Sequence, residues 1–278
     1  MKRLTINIPD DRGTLYQVIK YPAGEIQVRL TPLGIRNVIG AEEYTITANP
    51  VPDIMELAQL KSALDGAKSW EWRKLELPYL PYARADRRFV TGDSYGLATF
   101  ARLLNSLQFD VIDTFDVHSA KSFDWINKLV NLNPITHYDQ ITPIIKDIGR
   151  AGLVLIAPDK GAALRYDLKV YKLPVLVGEK LRDPETGKLS GFRIDPVIVE
   201  YGKALIIDDI CDGGGTFVGL GEAIKKLNPK IELGLYVSHG IFSQGFYKLN
   251  RVFDHIYISD YSFRGGEYDT FKTIGRKR

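Results

Sequence analysis

Ala204–Thr216 reads ALIIDDICDGGGT, and its pattern decides the fold. Ala204 to Ile207 are apolar without alternation, as expected of a strand covered on both faces. Two adjacent carboxylates follow, Asp208 and Asp209, then Ile210, Cys211 and Asp212. Gly213, Gly214, Gly215 and Thr216 close the stretch. Beyond Phe217 the pattern predicts an amphipathic helix over Gly219–Leu227. The order is strand, glycine loop, helix.

Each part has a chemical reason. The glycines reach positive φ and let backbone approach a ligand, and their N–H groups can cradle a phosphate. A helix N-terminus adds a positive dipole end beneath it. Paired carboxylates at a strand's C-terminal end can accept hydrogen bonds from a ribose 2,3-diol or hold Mg²⁺, directly or through water. No Gly-Lys-Ser/Thr follows, so this is not a Walker A loop. The plain alternative is a tight acidic turn.

Working outward, Leu233–Val237 predicts a strand ending in SHGIFSQG, and Ile256–Ile258 a last strand before a polar tail, GGEYDTFKTIGRKR. His239 either shapes the site or caps its strand. Upstream, VLVGEKLRDPETGKLSGFRI carries Pro184, Gly187 and Gly191 in a polar run, which predicts a mobile loop between two strands. Lys180 and Arg182 stand near its start. Leu153–Ala157 is a predicted strand followed by PDKGAALR, in which Asp159 is a ligand or a helix cap, and Gln140–Ile148 opens this second α/β run.

Asn131–His137, with Pro134, predicts the boundary between domains 1–137 and 138–278. Before it, Val111–Asp116 predicts a strand ending in DVHSA, with Phe123–Leu129 a short segment beyond, and Gly96–Leu107 predicts a helix. Lys74–Tyr79 predicts a strand feeding PYARADRR. There Arg84, Asp86, Arg87 and Arg88 crowd into five positions at the turn before a helix, where α/β folds place ligand loops. Guanidinium groups bind phosphate in a fixed fork. Val51–Leu64 predicts a helix with Pro52 near its start, and Ile54, Leu57, Leu60 and Leu64 form its apolar stripe. Tyr44–Ala48 predicts a strand. Leu4–Ile8 and Leu15–Tyr21 alternate, predicting an antiparallel hairpin with Asp10–Gly13 as its turn. Pro22–Gly24 is a further turn, with a strand from Glu25.

Composition narrows the class. The chain has 278 residues, 45% hydrophobic and 26% charged, enough for a substantial core in one large or two moderate domains. A net charge of +3 argues against an extended nucleic-acid patch. One cysteine, Cys211, excludes an internal disulfide and a Cys-based zinc site and fits a reducing cytoplasm. No apolar run is long enough for a signal peptide or a membrane span, so the expected place is cytoplasmic.

DDICDGGGT resembles the phosphoribosyl loop of type I phosphoribosyltransferases and of ribose-phosphate pyrophosphokinases (PRPP synthases), two families this loop alone does not separate. The remaining stretches resemble the second, in a short form. PYARADRR resembles its Tyr-Ala-Arg-Gln-Asp-Arg ATP motif, with Ala85 at the glutamine. DVHSA resembles its Asp-Leu-His, PDKGAALR its Pro-Asp-x-Gly-x-x-x-Arg with Arg165 at the arginine, and Lys180-Leu181-Arg182 its Lys-x-Arg pair. SHGIFSQG resembles its Thr-His-Gly-x-Phe, and Tyr21–Glu25 its phenylalanine-x-x-Gly-Glu turn, with Ala23 at a usual aspartate.

The resemblance implies two similar α/β domains, each a mainly parallel sheet flanked by helices, with the active site between them. It implies Mg²⁺-dependent diphosphoryl transfer from ATP to the 1-hydroxyl of ribose 5-phosphate, giving PRPP and AMP, in nucleotide biosynthesis. ATP would be bound by Arg84, Asp86 and Arg87, and by Tyr21 and Glu25 of a neighbouring subunit, hence a homodimer or higher homo-oligomer. His118 and Asp159 would help place Mg²⁺, although a water-bridged or phosphate contact suits an imidazole as well. Asp208, Asp209, Asp212, Gly213, Gly214, Gly215 and Thr216 would bind the ribose phosphate, and Lys180 and Arg182 would act on the β-phosphate. Family members commonly carry Asp-Thr-Ala/Gly-Gly-Thr, so Gly213 removes a hydroxyl and bulk beside the 5-phosphate. That opens a larger acceptor such as ADP-ribose. A PRPP-consuming phosphoribosyltransferase and a non-catalytic regulatory homologue are the other readings. No nucleic-acid or membrane partner is expected.

Overall fold

The structure, a computed structural model, describes residues 2–49, 53–132, 138–182, 189–259 and 272–274. It divides into two compact units, the first holding the described residues up to Leu132 and the second those from Tyr138. The boundary segment 133–137, loop residues 183–188, Pro52 and most of the polar tail lie outside the described residues.

In the first unit the order is β1 (Arg3–Ile8), β2 (Tyr16–Lys20), β3 (Ile26–Leu30), α1 (Pro32–Ile39), β4 (Glu43–Ala48), α2 (Ile54–Ala67) and β5 (Trp72–Leu77). Then come α3 (Gly96–Ser106), β6 (Val111–Phe115), α4 (Ser122–Trp125) and β7 (Leu129–Leu132). Strands β1, β4, β5, β6 and β7 form a five-stranded sheet in that spatial order. Every pairing in it is parallel. Leu4, Ile6, Tyr44, Ile46 and Leu75 bury against the α2 stripe Leu57, Leu60 and Leu64 and against Leu97 and Ala101 of α3.

One expected pairing is wrong. Leu4–Ile8 does not form a hairpin with Leu15–Tyr21. β1 joins the parallel sheet beside β4, and the hairpin is β2 with β3, Tyr16 opposite Leu30. Alternation reports that one face is buried and carries no information about the partner. The hairpin docks on α2 through side-chain bonds: Tyr16 OH donates to Glu56 Oε1 at 2.8 Å, Gln59 Oε1 accepts from Val28 N at 2.8 Å and Gln59 Nε2 donates to Ile26 O at 2.8 Å. The Gln59 bonds satisfy two groups of an otherwise bare strand edge.

The second unit runs α5 (Tyr138–Ile148), β8 (Leu153–Ala157), α6 (Lys160–Arg165), β9 (Val175–Val177), β10 (Glu179–Arg182) and β11 (Leu189–Arg193). It continues with β12 (Lys203–Cys211), α7 (Gly215–Leu227), β13 (Glu232–Gly240), α8 (Tyr247–Asn250), β14 (His255–Ser259) and β15 (Lys272–Ile274). A six-stranded sheet has the order β15-β14-β13-β12-β8-β9, parallel throughout. The unbroken apolar run of β12 has the expected cause. Ala204 and Ile206 face one buried cluster, with Leu220 and Ile224 of α7. Leu205 and Ile207 face another, with Ile141 and Ile144 of α5. β12 is longer than its apolar run implied and carries Asp208 and Asp209 within the strand. α7 likewise starts at Gly215, earlier than Gly219.

Candidate active site

In the second unit the candidate side chains gather around the C-terminal ends of parallel strands, the ligand side of α/β sheets. β8 ends at Ala157 and turns into α6. Asp159 caps that helix, its Oδ1 accepting from Ala162 N at 3.0 Å. The capping alternative is therefore real. The other oxygen has a different partner, Oδ2 accepting from Lys180 Nζ at 2.8 Å. Burial pushes the Asp159 carboxyl up, but the bonds from Lys180 and the Ala162 amide outweigh it, so it is held below the ordinary carboxylate range.

The last residue of α6 is Arg165. Its Nη1 lies 2.6 Å from Asp209 Oδ1 and 3.7 Å from Asp208 Oδ1. Asp209 N also donates to Asp208 Oδ1 at 3.0 Å. One short helix thus carries the acid that meets Lys180 and the cation that clamps the paired carboxylates. Sequence reading matched Arg165 to a motif without assigning it a site role. Burial lowers the guanidinium's affinity for its proton, and the charges of Asp209 and Asp208 more than restore it.

Burial, then the neighbouring Asp209 charge, pushes Asp208 well above the ordinary carboxylate range. The native protein therefore holds this proton more tightly than the unfolded chain. The stability it contributes is full at low pH and is lost as pH rises through the folded value. Asp208→Asn, which keeps an acceptor but no charge, is expected to raise the melting temperature more at pH 8 than at pH 4. It should also lose turnover. Scanning calorimetry at both pH values is the check, and a lower melting temperature than wild type at pH 8 would refute this account.

The glycine loop follows β12. Gly214 sits at φ +76° and a Cβ there would meet the Leu249 side chain at 3.2 Å, so glycine is required on both counts. No side chain caps the N-terminus of α7. Its first-turn N–H groups, from Gly215 and Thr216 on, are available to an anion. His239 is fully buried inside β13, opposite Ile210, and is not a strand cap.

Lys180 and Arg182 lie on β10 itself. Lys180 pairs in register with Phe192 of β11. A Cβ on Gly219 of α7 would come 2.3 Å from the Phe192 ring, so the bare glycine is what seats the hairpin on the helix. Gly219→Ala is expected to displace the ring and Lys180 with it. The expected fall in kcat is on the order of tenfold, because misplacement by about 1 Å can cost as much as 10²-fold. Steady-state kinetics with a melting curve tests this; unchanged kcat in a folded variant would remove Phe192 as the anchor.

The first unit brings two loops together. Asp86, 7% exposed, accepts from Arg87 Nε at 3.0 Å and from Ser119 Oγ at 2.8 Å, with Lys121 Nζ 3.8 Å away. The Arg84–Arg88 turn is thereby tied to the loop that holds His118. Burial raises the Asp86 carboxyl, and these donors and charges bring it below its ordinary range. Arg87 remains largely exposed, its guanidinium 5.6 Å from the Phe89 ring centre. Ser119 and Lys121 were missed because a serine and a lysine after a strand carry no signature. Tyr21 and Glu25 bracket the β2–β3 turn: Tyr21 N donates to Glu25 O at 2.9 Å, and Gly24 has φ +93°. They border a cavity of about 620 Å³ with Gln27, Asp53 and Gln59.

Among the described residues no group of three or more His, Cys, Asp and Glu could hold a metal by itself, and no helix is long and apolar enough to cross a membrane.

No family model matches the chain. Among curated proteins, the ribose-phosphate pyrophosphokinase of Thermococcus kodakarensis is 30% identical over 256 residues, covering 88% of this chain and 84% of the relative. The Pyrococcus abyssi protein of the same name is 29% identical over 235 residues, 82% and 77% of the two chains. Among solved structures, the phosphoribosylpyrophosphate synthetase of Mycobacterium smegmatis superposes with a TM-score of 0.77 at 16% identity. That match covers 98% of this chain and 94% of that one, a likeness of fold.

Proposed function

This chain belongs to the ribose-phosphate pyrophosphokinase family, and we infer from that premise that it transfers diphosphate from ATP to the 1-hydroxyl of ribose 5-phosphate. The hydroxyl oxygen attacks the β-phosphorus, the bond from that phosphorus to the α-phosphate oxygen breaks, and AMP leaves. The hydroxyl proton passes to solvent. The sugar supplies the nucleophile, so the protein's work is alignment and charge neutralisation.

The observation that carries the division of roles is α6, with Asp159 and Lys180 at one end and the Arg165-clamped carboxylates at the other. Asp208 and Asp209 take the ribose diol. Asp212, Gly213, Gly214, Gly215 and Thr216 take the 5-phosphate on backbone N–H groups and the Thr216 hydroxyl. Lys180 and Arg182 act on the β-phosphate as charge develops on its oxygens. Arg84 and Arg87 take ATP phosphates, and Asp86 acts with them by holding Arg87 in place.

Mg²⁺ suits these donors. It binds through one or two carboxylates and completes its shell with phosphates and water, without an all-protein cage. Asp159 Oδ2 already faces a cation, the Lys180 ammonium, so its carboxylate is placed to meet positive charge. Asp159 and His118 are each proposed to help place Mg²⁺, which would neutralise the triphosphate.

We also propose that the Tyr21–Glu25 turn reaches ATP in a neighbouring subunit, so that the active species is at least a dimer. An active monomer in sedimentation at assay concentration would refute that. The acceptor is read as ribose 5-phosphate itself. The Gln244 side chain stands beside Gly213, 3.5 Å from where a Cβ would be, which weighs against a larger acceptor such as ADP-ribose.

The test is AMP release with ATP, Mg²⁺ and ribose 5-phosphate, run beside ADP-ribose. AMP dependent on ribose 5-phosphate supports the reading. Pyrophosphate release from PRPP and a nucleobase without ATP would favour a phosphoribosyltransferase, and binding without turnover a regulatory homologue.

A further inference from the structure

The glycine loop is bare at Gly213, yet it has a polar neighbour from another part of the chain. Gln244 Cδ and Nε2 each lie 3.5 Å from the point where a Cβ on Gly213 would stand, and Gln244 Cγ lies at 3.7 Å. The carboxamide of Gln244 therefore stands beside Gly213, at ordinary contact distance from where a side chain there would begin.

The turn presenting it is fixed. Ile241 N and Phe242 N both donate to Cys211 O, at 2.8 and 3.1 Å, so the turn hangs from the last residue of β12, next to the loop. Phe242 is 5% exposed and its ring lies 4.3 Å from that of Phe246. Gly240 makes room for that ring, because a Cβ there would come within 2.0 Å of it. Gly245 N donates to Phe242 O at 2.8 Å and Gly245 has φ +64°, which closes the turn around Gln244. A carboxamide held this way has two N–H donors and no charge. Its NH₂ is close enough to the loop to serve an anion bound there.

We infer that Gln244 is a specificity-determining residue that donates a hydrogen bond to the sugar's 5-phosphate, from beside Gly213. This rests on the reading that Asp212–Thr216 holds that phosphate. The contact supplies a directional donor at the phosphate end of the acceptor, so its loss falls on the sugar and not on ATP.

The experiment measures KM for ribose 5-phosphate and for ATP in wild type, Gln244→Ala and Gln244→Glu, with a melting curve for each. Gln244 is exposed, so both variants are expected to fold. In Gln244→Ala, KM for ribose 5-phosphate should rise about tenfold, the scale of one hydrogen bond to a charged group, with KM for ATP within about twofold of wild type. Gln244→Glu is the same shape without the donor and with a charge facing the phosphate, so its rise should be larger. A residue that only fills space would show the reverse order. Unchanged KM for ribose 5-phosphate in Gln244→Ala, or a Gln244→Glu variant equal to wild type, overturns the inference. The wild-type arm separates the two readings: a wild type that ribose 5-phosphate does not saturate fails at the parent reading and takes this inference with it.

Discussion

Lys180→Ala is expected to lower kcat by a factor on the order of 10²–10⁴, as follows when a charge contact made mainly in the transition state is lost. The geometry makes the expectation specific. Lys180 is half-buried on β10, and its ammonium meets a single described anion, Asp159 Oδ2 at 2.8 Å. Breaking that partly exposed pair costs the fold little, about 1 kcal/mol or less. The melting temperature should therefore stay near wild type while turnover collapses. Asp159 loses its strongest local cation, so its carboxyl should titrate higher in the variant. A kcat within about threefold of wild type would show that the β10 lysine does not act on the reacting phosphate.

Arg165→Met is expected to damage both stability and activity. The guanidinium lies 2.6 Å from Asp209, whose side chain is 4% exposed, and 3.7 Å from Asp208. Removing it takes this cation away from the buried Asp209 and its neighbour Asp208, and breaking a buried pair in this way typically costs about 3–5 kcal/mol. Neutralising the partners should repair the fold but not the function. Arg165→Met combined with Asp208→Asn and Asp209→Asn should recover much of the lost stability, with no turnover. Chemical denaturation of the single and triple variants measures this. A single variant as stable as wild type, or a triple variant no better than the single, would show that Arg165 is not the clamp.

Much of this architecture is legible in the chain because its signals are local. ALII followed by paired carboxylates and three glycines is contiguous, and the buried strand, the loop and the helix follow in the order the pattern gives, with the strand running on to Cys211 and the helix starting at Gly215. The α2 stripe is likewise periodic within one element. Contacts between distant segments are not written that way. β1 carries the same alternation whether it pairs with β2 or β4, so its partner could not be read. The short α1 has readable signals, Thr31 as cap and Pro32 at its first turn, but its eight residues are too few for a periodic stripe to stand out. Arg165 looked like a motif position, and only the fold sets it against Asp209. Asp86 looked like a ligand, whereas the fold surrounds its carboxylate with Arg87, Ser119 and Lys121 and makes it the tie between two loops. Gln244 and Phe192 gave no signal, since each acts at a glycine far away in sequence, Gly213 and Gly219.

The central claim is that a diphosphoryl group moves intact from ATP to the sugar's 1-hydroxyl. The most direct measurement uses ATP labelled at the β-phosphate, incubated with ribose 5-phosphate and Mg²⁺, with products separated and followed by phosphorus NMR. The account predicts all transferred label in the 1-diphosphate of PRPP, an equal amount of unlabelled AMP, and no product without ribose 5-phosphate. Label retained in ADP, or PRPP consumed and not formed, would contradict it.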